Sequence, residues 1–284
     1  MAVGRTRRGV AERRLDAARR RGQRADLAAR VVTALPLIAL AIVLVALGGW
    51  VFAAGVLVLA VMGLRELFSM YERAHPAVFP GILGLAGLVV AARLGDAGTV
   101  LLAFVASLPV VFLLGLGGPR RIGVPGLTVT VFGLAWIGVA LAHAVLLREL
   151  PHGGGVLALV LVATFAGDTG AYLGGRLLGR RRLAPTISPG KTVEGLVIGM
   201  IAGALGGWAT GLYQDWLPGW QALVIGAAVA VIAPLGDLFE SFVKREAGTK
   251  DSGRVFGAHG GALDRLDAAL FAVVVGYWVW RALL

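Results

Sequence analysis

The chain has 284 residues, 58% of them hydrophobic and only 15% charged, and a formal net charge of +11. Composition this apolar, with runs of about 18 residues nearly free of charge, excludes a soluble domain and reads as helices crossing a membrane. The lack of cysteine excludes disulfides and thiolate metal sites, and short alternating segments of the kind a transmembrane β-barrel needs are absent.

Residues 1–30 form a basic tail with ten arginines against Glu12, Asp16 and Asp26. It is expected to lie on the cytoplasmic side, either as an orientation signal or as an amphipathic helix on anionic membrane lipids. No short apolar region and cleavage site follow Met1, so a secretory signal is not expected. The acids and the lack of serine argue against an organelle transit peptide.

Nine apolar segments follow: Val31–Gly48, Val51–Leu64, Ala77–Ala92, Val100–Leu116, Gly126–Leu147, Val156–Leu178, Leu196–Tyr213, Gln221–Phe239 and Leu263–Leu284. They predict an all-α polytopic membrane protein of about nine transmembrane helices, give or take one. With the N-terminus inside, 24 of the 27 Lys and Arg fall on cytoplasmic segments, leaving Arg93, Arg148 and Arg281 outside. Basic residues resist translocation, so this asymmetry supports both count and topology. The bacterial plasma membrane is the expected location, and no nucleic-acid partner is expected.

The N-terminal helices of 31–150 read as nearly featureless, with His143 a packing residue in an apolar run. No fixed-period repeat and no matched pair of interrupted helices points to a transporter. The C-terminal region, 151–284, differs. It carries Asp168, Glu194, Asp237, Glu240, Asp264 and Asp267 within or at the ends of spans. Carboxylates there are costly and mark function by default.

The stretch "GDTGAYLGGRLLGRRRLAPTISPGKTVEG" sets Asp168 in a span and delivers Arg176, Arg180, Arg181, Arg182 and Lys191 to the cytoplasmic face. Within it, Ser188-Pro189-Gly190-Lys191-Thr192 reads as a turn whose N–H groups, hydroxyls and lysine could cradle phosphate, or as a topology anchor. It is not a Walker A motif, lacking the glycine spacing and a preceding strand. In "PLGDLFESFVKR", Asp237, Glu240, Ser241 and Lys244 share one helix face, as an ion pair or as part of a site. In "HGGALDRLDAAL", a helix is expected to start after His259-Gly260-Gly261, with Asp264 and Asp267 three apart near its start. Its free N–H groups suit phosphate and its carboxylates suit Mg²⁺, although capping by Asp264 and pairing of Asp267 with Arg265 or another base is the alternative. Together these pieces suggest metal-assisted phosphoryl or nucleotidyl transfer at a polar site on the cytoplasmic face.

Ser241-Phe-Val-Lys244-Arg245, Lys250-Asp251-Ser252-Gly253, His259-Gly260-Gly261 and Asp264-Arg265-Leu266-Asp267 resemble the signature of phosphatidate cytidylyltransferases, or CDP-diacylglycerol synthases. "GDTGAYLGGRLLG" and "ISPGKTVEG" resemble that family's upstream segments in the same order. The likeness covers about Ala166 to Asp267 in detail. It implies that CTP and phosphatidate become CDP-diacylglycerol and pyrophosphate, with Mg²⁺ required and a second cation such as K⁺ compatible. By matching positions it implies Asp237 and Asp264 as metal ligands and Lys244, Lys250 and His259 as further catalytic groups. Asp168, Ser188, Lys191, Thr192 and Glu194 are implied around the substrates from the first half of the motif. Ser241, Arg245, Asp251, Gly260, Gly261, Arg265 and Asp267 are implied from the second. Gly190 stands where the family often has a second lysine, and Ala262 replaces a larger aliphatic residue. A homodimer is compatible with this reading. A CTP-dependent polyprenol or phytol kinase, an isoprenoid-phosphate cytidylyltransferase and a cation-coupled transporter are the alternatives. The transporter is disfavoured because the outer halves of the spans are apolar.

Overall fold

The computed structural model describes Pro36 and residues 38–117, 122–253 and 260–284. The tail of 1–30, Arg120, Arg121 and His259 lie outside the described residues. Two compact units divide the chain, Met1–Val43 and Leu44–Leu284. The described part of the first is helical and begins α1, Ile38–Leu47.

The second unit continues with α2 (Gly49–Met70), α3 (Val78–Leu94) and α4 (Ala97–Leu116). Next come α5 (Val124–Gly133) and α6 (Val139–Glu149), one continuous helix through a π-helical turn at Leu134–Gly138. Then follow α7 (Gly153–Leu178), a hairpin of β1 (Arg182–Ala184) and β2 (Ser188–Thr192), α8 (Val193–Gly211), α9 (Gly219–Glu246) and α10 (Leu263–Leu283). Seven helices are long and apolar enough to cross a membrane, and the shorter apolar Ile38–Leu47 and Val78–Leu94 bring the helical segments to nine among the described residues. The chain is an all-α polytopic membrane protein. Helices dominate because hydrocarbon offers no partner for a free N–H or C=O, and a helix satisfies both within itself.

Local chemistry fixes the breaks. Gly48, between α1 and α2, and Gly49, the first residue of α2, take φ of +64° and +52°, a backbone region that favours glycine. At the start of α4, Asp96 Oδ1 accepts from the Thr99 N–H at 2.9 Å while Thr99 Oγ1 accepts from the Asp96 N–H at 3.4 Å. That capping box lets α3 and α4 join through Gly95 and Asp96 alone.

Packing is closest in the C-terminal region. The glycines of α8 at 195, 199, 203, 207 and 211 are all buried. A Cβ on Gly207 would run into the Gly226 backbone of α9, and one on Gly199 into the Gly167 carbonyl of α7. Between membrane helices such close approach supplies dispersion contact where the hydrophobic effect does not. Gly236 does the same for α9 and α10: a Cβ there would meet the backbone carbonyl of Asp267. The missing side chain therefore brings Asp267 alongside Asp237. Beneath these acids, Phe239 packs edge-on to Trp136 of the π-helical turn, with ring centroids 5.1 Å apart, and tilted to Phe271 of α10 at 5.5 Å. His143 is buried; its Nδ1 donates to the Val139 carbonyl at 2.8 Å and its ring meets Tyr277 edge-on, so it is a satisfied packing residue.

The three basic residues expected on the outer face are each engaged. Arg93 lies 3.4 Å from Glu149 and over the Trp50 ring, Arg148 Nε donates to the Val45 carbonyl at 2.7 Å, and Arg281 donates to the Tyr277 hydroxyl at 2.9 Å. Arg281 ends α10, at the opposite end from Asp264 and Asp267.

Candidate active site

The segment Ser188–Thr192 is a strand, not the expected turn. It pairs antiparallel with β1 in the register Arg182↔Thr192 and Ala184↔Ser188, and the turn falls on residues 185–187. The Pro-Gly pair suggests a turn, but pairing with β1 extends it, and Arg182 Nη1 donates across to the Pro189 carbonyl at 2.6 Å. Thr192 then caps α8, its Oγ1 accepting from the Gly195 N–H at 3.1 Å. Glu194 in the first turn accepts from the N–H groups of Arg180 and Arg181 at 2.9 and 3.2 Å. Its role in the fold is to hold the approach to the hairpin.

The hairpin is joined to α9 at two points. Lys191 Nζ lies 2.6 Å from Asp237 Oδ2, and Arg245 Nε donates to the Ile187 carbonyl at 3.3 Å. Higher on the same helix, Lys244 Nζ lies 2.7 Å from Glu240 Oε2 and donates to Asp264 Oδ1 of α10 at 2.8 Å. Asp267 follows one turn later on α10, its Oδ1 accepting from the Ala268 N–H at 2.8 Å. Asp168 of α7, exposed on its helix, lies at the margin of the group, close enough to Asp237 and Lys191 for both charges to act on it.

Five carboxylates and two ammoniums thus converge where α7, β2, α9 and α10 meet. At low effective dielectric an excess of acid is costly unless a cation joins it. Ligand oxygens of Asp237, Glu240 and Asp267 lie within 4.8 Å of one another. Glu240 is 1% exposed, and its Oε1 is buried with no hydrogen-bond partner. A buried carboxylate oxygen left open among two further carboxylates is the donor set a hard divalent cation takes. The residues fit such an ion. Of the expected pair, Asp237 belongs to this grouping, while Asp264 is engaged by Lys244 and by the N–H groups of Ser252, at 3.3 Å, and Gly261, at 2.7 Å.

A second difference lies at the start of α10. Its first amides are not free for phosphate. Ala262 and Leu263 donate their N–H groups to Glu66 Oε1 and Oε2 at 2.8 and 2.9 Å, and the Ser252 hydroxyl donates to Oε2 at 2.9 Å. Glu66 comes from α2, which runs on to Met70, past the expected end at Leu64. Sequence reasoning passed over it, although a carboxylate close behind an apolar run is the same signal that marks the acids of the second half.

The other expected site residues divide plainly. Ser188 starts β2, Ser241 is half-buried on α9 one position after Glu240, and Gly260 takes φ of +79° before α10. Lys250, Asp251 and Arg265 are exposed.

Residues 28–283 match the Cytidylyltransferase family. The chain is 32% identical over 288 residues to a phosphatidate cytidylyltransferase of Synechocystis sp., an alignment covering 88% of this chain and 94% of that protein. It is 31% identical over 252 residues to a phosphatidate cytidylyltransferase of Staphylococcus saprophyticus, covering 86% and 96%. With a phosphatidate cytidylyltransferase of Helicobacter pylori it shares 42% identity over 122 residues, covering 42% of this chain and 46% of that one.

Proposed function

Because the chain belongs to the cytidylyltransferase family, we propose that it converts CTP and phosphatidate to CDP-diacylglycerol and pyrophosphate in phospholipid biosynthesis. The observation that carries this reading is the meeting of Lys191 and Lys244 with a carboxylate group whose Glu240 Oε1 has no partner. Ammoniums and a cation-binding acid group side by side suit a substrate made of adjoining phosphates.

An oxygen of the phosphatidate phosphate attacks the α-phosphorus of CTP. The new P–O bond joins CMP to the lipid, the bridging bond between the α- and β-phosphates breaks, and pyrophosphate leaves with the electron pair. The nucleophile is already anionic at neutral pH, so no general base is required. What remains is positioning and charge neutralisation. Asp237, Glu240 and Asp267 would hold Mg²⁺, with Asp264 at the edge of the group; the ion would neutralise phosphate charge and orient the α-phosphorus. A second, monovalent cation such as K⁺ is compatible with the excess of acid. Lys191 and Lys244 orient phosphate oxygens, and Arg245 keeps the hairpin against α9. Residues 151–284 form the catalytic region, with Ser188, Ser241, Lys250 and His259 contributing around the substrates.

The protein is integral to the membrane. We place it in the bacterial plasma membrane with the N-terminus and site cytoplasmic, supported by the bias of Lys and Arg, and with the basic tail near anionic lipids. The test is the purified protein with CTP, phosphatidate and Mg²⁺, scored for both products. Pyrophosphate and a CMP-bearing lipid are expected. Release of CDP with a phosphorylated lipid alcohol would replace this reading with the kinase.

A further inference from the structure

Glu66 stands apart from every residue given a role above. It comes from the N-terminal helices, it is 5% exposed, and its carboxylate accepts three hydrogen bonds from a segment nearly two hundred positions away. We propose that Glu66 is a positioning residue for the cation and nucleotide end of the site, acting through Asp264 and Lys244. This role rests on the transferase reading.

The connection runs through two carboxylates that share one short stretch of backbone. Ser252 donates its hydroxyl to Glu66 and its N–H to Asp264. On the other side, Gly261 donates its N–H to Asp264, while Ala262 and Leu263 donate theirs to Glu66. Each carboxylate therefore ties Ser252 to the segment 261–263 that leads into α10. Asp264 in turn accepts from Lys244, which also pairs with Glu240, a member of the acid group with one buried oxygen left without a hydrogen-bond partner.

The glycines on either side give independent support. A Cβ built on Gly253 would strike the Glu66 carboxylate, and one on Gly261 would strike both that carboxylate and the Ser252 hydroxyl. At both positions a larger residue would require the Glu66 carboxylate to shift, because it lies against the backbone there. A carboxylate pressed this closely against the chain fixes the height and rotation at which α10 begins, and with them the direction of Asp264. Residues that orient metal-site ligands in this way typically change metal affinity by about 10–100-fold when lost.

The experiment uses the full chain purified in nanodiscs as Glu66→Gln, Glu66→Ala and Ser252→Ala. Three readings are taken: Mn²⁺ binding without nucleotide by electron paramagnetic resonance, the Mg²⁺ half-saturation and KM values of pyrophosphate release, and the melting temperature. Glu66→Ala is expected to weaken Mn²⁺ binding and to raise both the Mg²⁺ half-saturation and the KM for CTP about tenfold or more. The KM for phosphatidate should stay within about twofold. Glutamine can still accept from one amide and donate to Ser252, so Glu66→Gln should fall between wild type and alanine. Folded variants with Mn²⁺ and Mg²⁺ constants within about twofold of wild type would overturn the proposal. So would a loss confined to the active fraction, which is what a purely structural staple gives. If the alanine variant does not fold, Glu66→Gln and Ser252→Ala decide by the same criteria. If the wild type makes no CDP-diacylglycerol yet Glu66→Gln weakens Mn²⁺ binding, the reaction assigned above falls and the positioning role stands.

Discussion

Lys191 of β2 and Asp237 of α9 form an ion pair at 2.6 Å, which places an ammonium against one of the three carboxylates best arranged to hold a cation. A metal ion held there would compete with the ammonium for Asp237. Removing the ammonium as Lys191→Met should tighten Mn²⁺ binding to the nucleotide-free protein severalfold. The KM for CTP should rise by about tenfold, equivalent to about 1.4 kcal/mol. A Mn²⁺ titration followed by steady-state kinetics checks both signs, and they must be opposite.

The acids themselves should be indispensable to turnover and dispensable to insertion. Asp237→Asn or Asp264→Asn is expected to abolish CDP-diacylglycerol formation, while the protein still runs as a single species on gel filtration in detergent. Near-normal Mg²⁺-dependent turnover in both would defeat the assignment.

Lys244 is a different case, because two carboxylates depend on it. Glu240 is 1% exposed and Asp264 15% exposed at the side chain. Truncation as Lys244→Ala leaves both without their ammonium, a change that costs about 3–5 kcal/mol when one partner of a buried pair is removed. The melting temperature should fall clearly, and the double variant Lys244→Ala/Glu240→Gln should recover part of the loss.

Glycine 236 can be tested by volume. Gly236→Ala puts a methyl group against the Asp267 carbonyl and should lower both melting temperature and turnover. Gly87→Ala, on α3, meets nothing within 4 Å. It should leave turnover unchanged and stabilise the helix by up to about 1 kcal/mol.

At the opposite side of the fold, the Thr99 backbone N–H, followed by its hydroxyl, holds the Asp96 carboxyl below the usual aspartate range. A depressed folded pKa means the cap stabilises above the unfolded pKa, about 3.9, and is lost as pH falls through the folded value. Asp96→Ala should therefore melt below wild type at pH 7, and the gap should close as the medium is acidified past the Asp96 pKa.

What the sequence made legible is what depends on neighbours along the chain. Apolar runs give the helices, and spacings of three and four put Asp237, Glu240 and Lys244 on one face and Asp264 and Asp267 on another. What escaped depends on distant partners. Ser188–Thr192 becomes a strand only because Arg182–Ala184 lies across from it. Glu66 acquires meaning only from Ser252, Ala262 and Leu263, which no local pattern connects to α2. The approach of Asp267 to Asp237 and Glu240 follows from the crossing of α9 and α10 at Gly236, which periodicity does not encode.

The grip of Glu66 on the first turn of α10 makes the two halves of the polypeptide unequal in independence. A fragment beginning near residue 151 would keep the five clustered carboxylates and both lysines, yet would leave two amides and a hydroxyl without their acceptor. Supplying residues 31–150 as a separate chain in the same bilayer should mend that defect and restore turnover that the richer half lacks on its own.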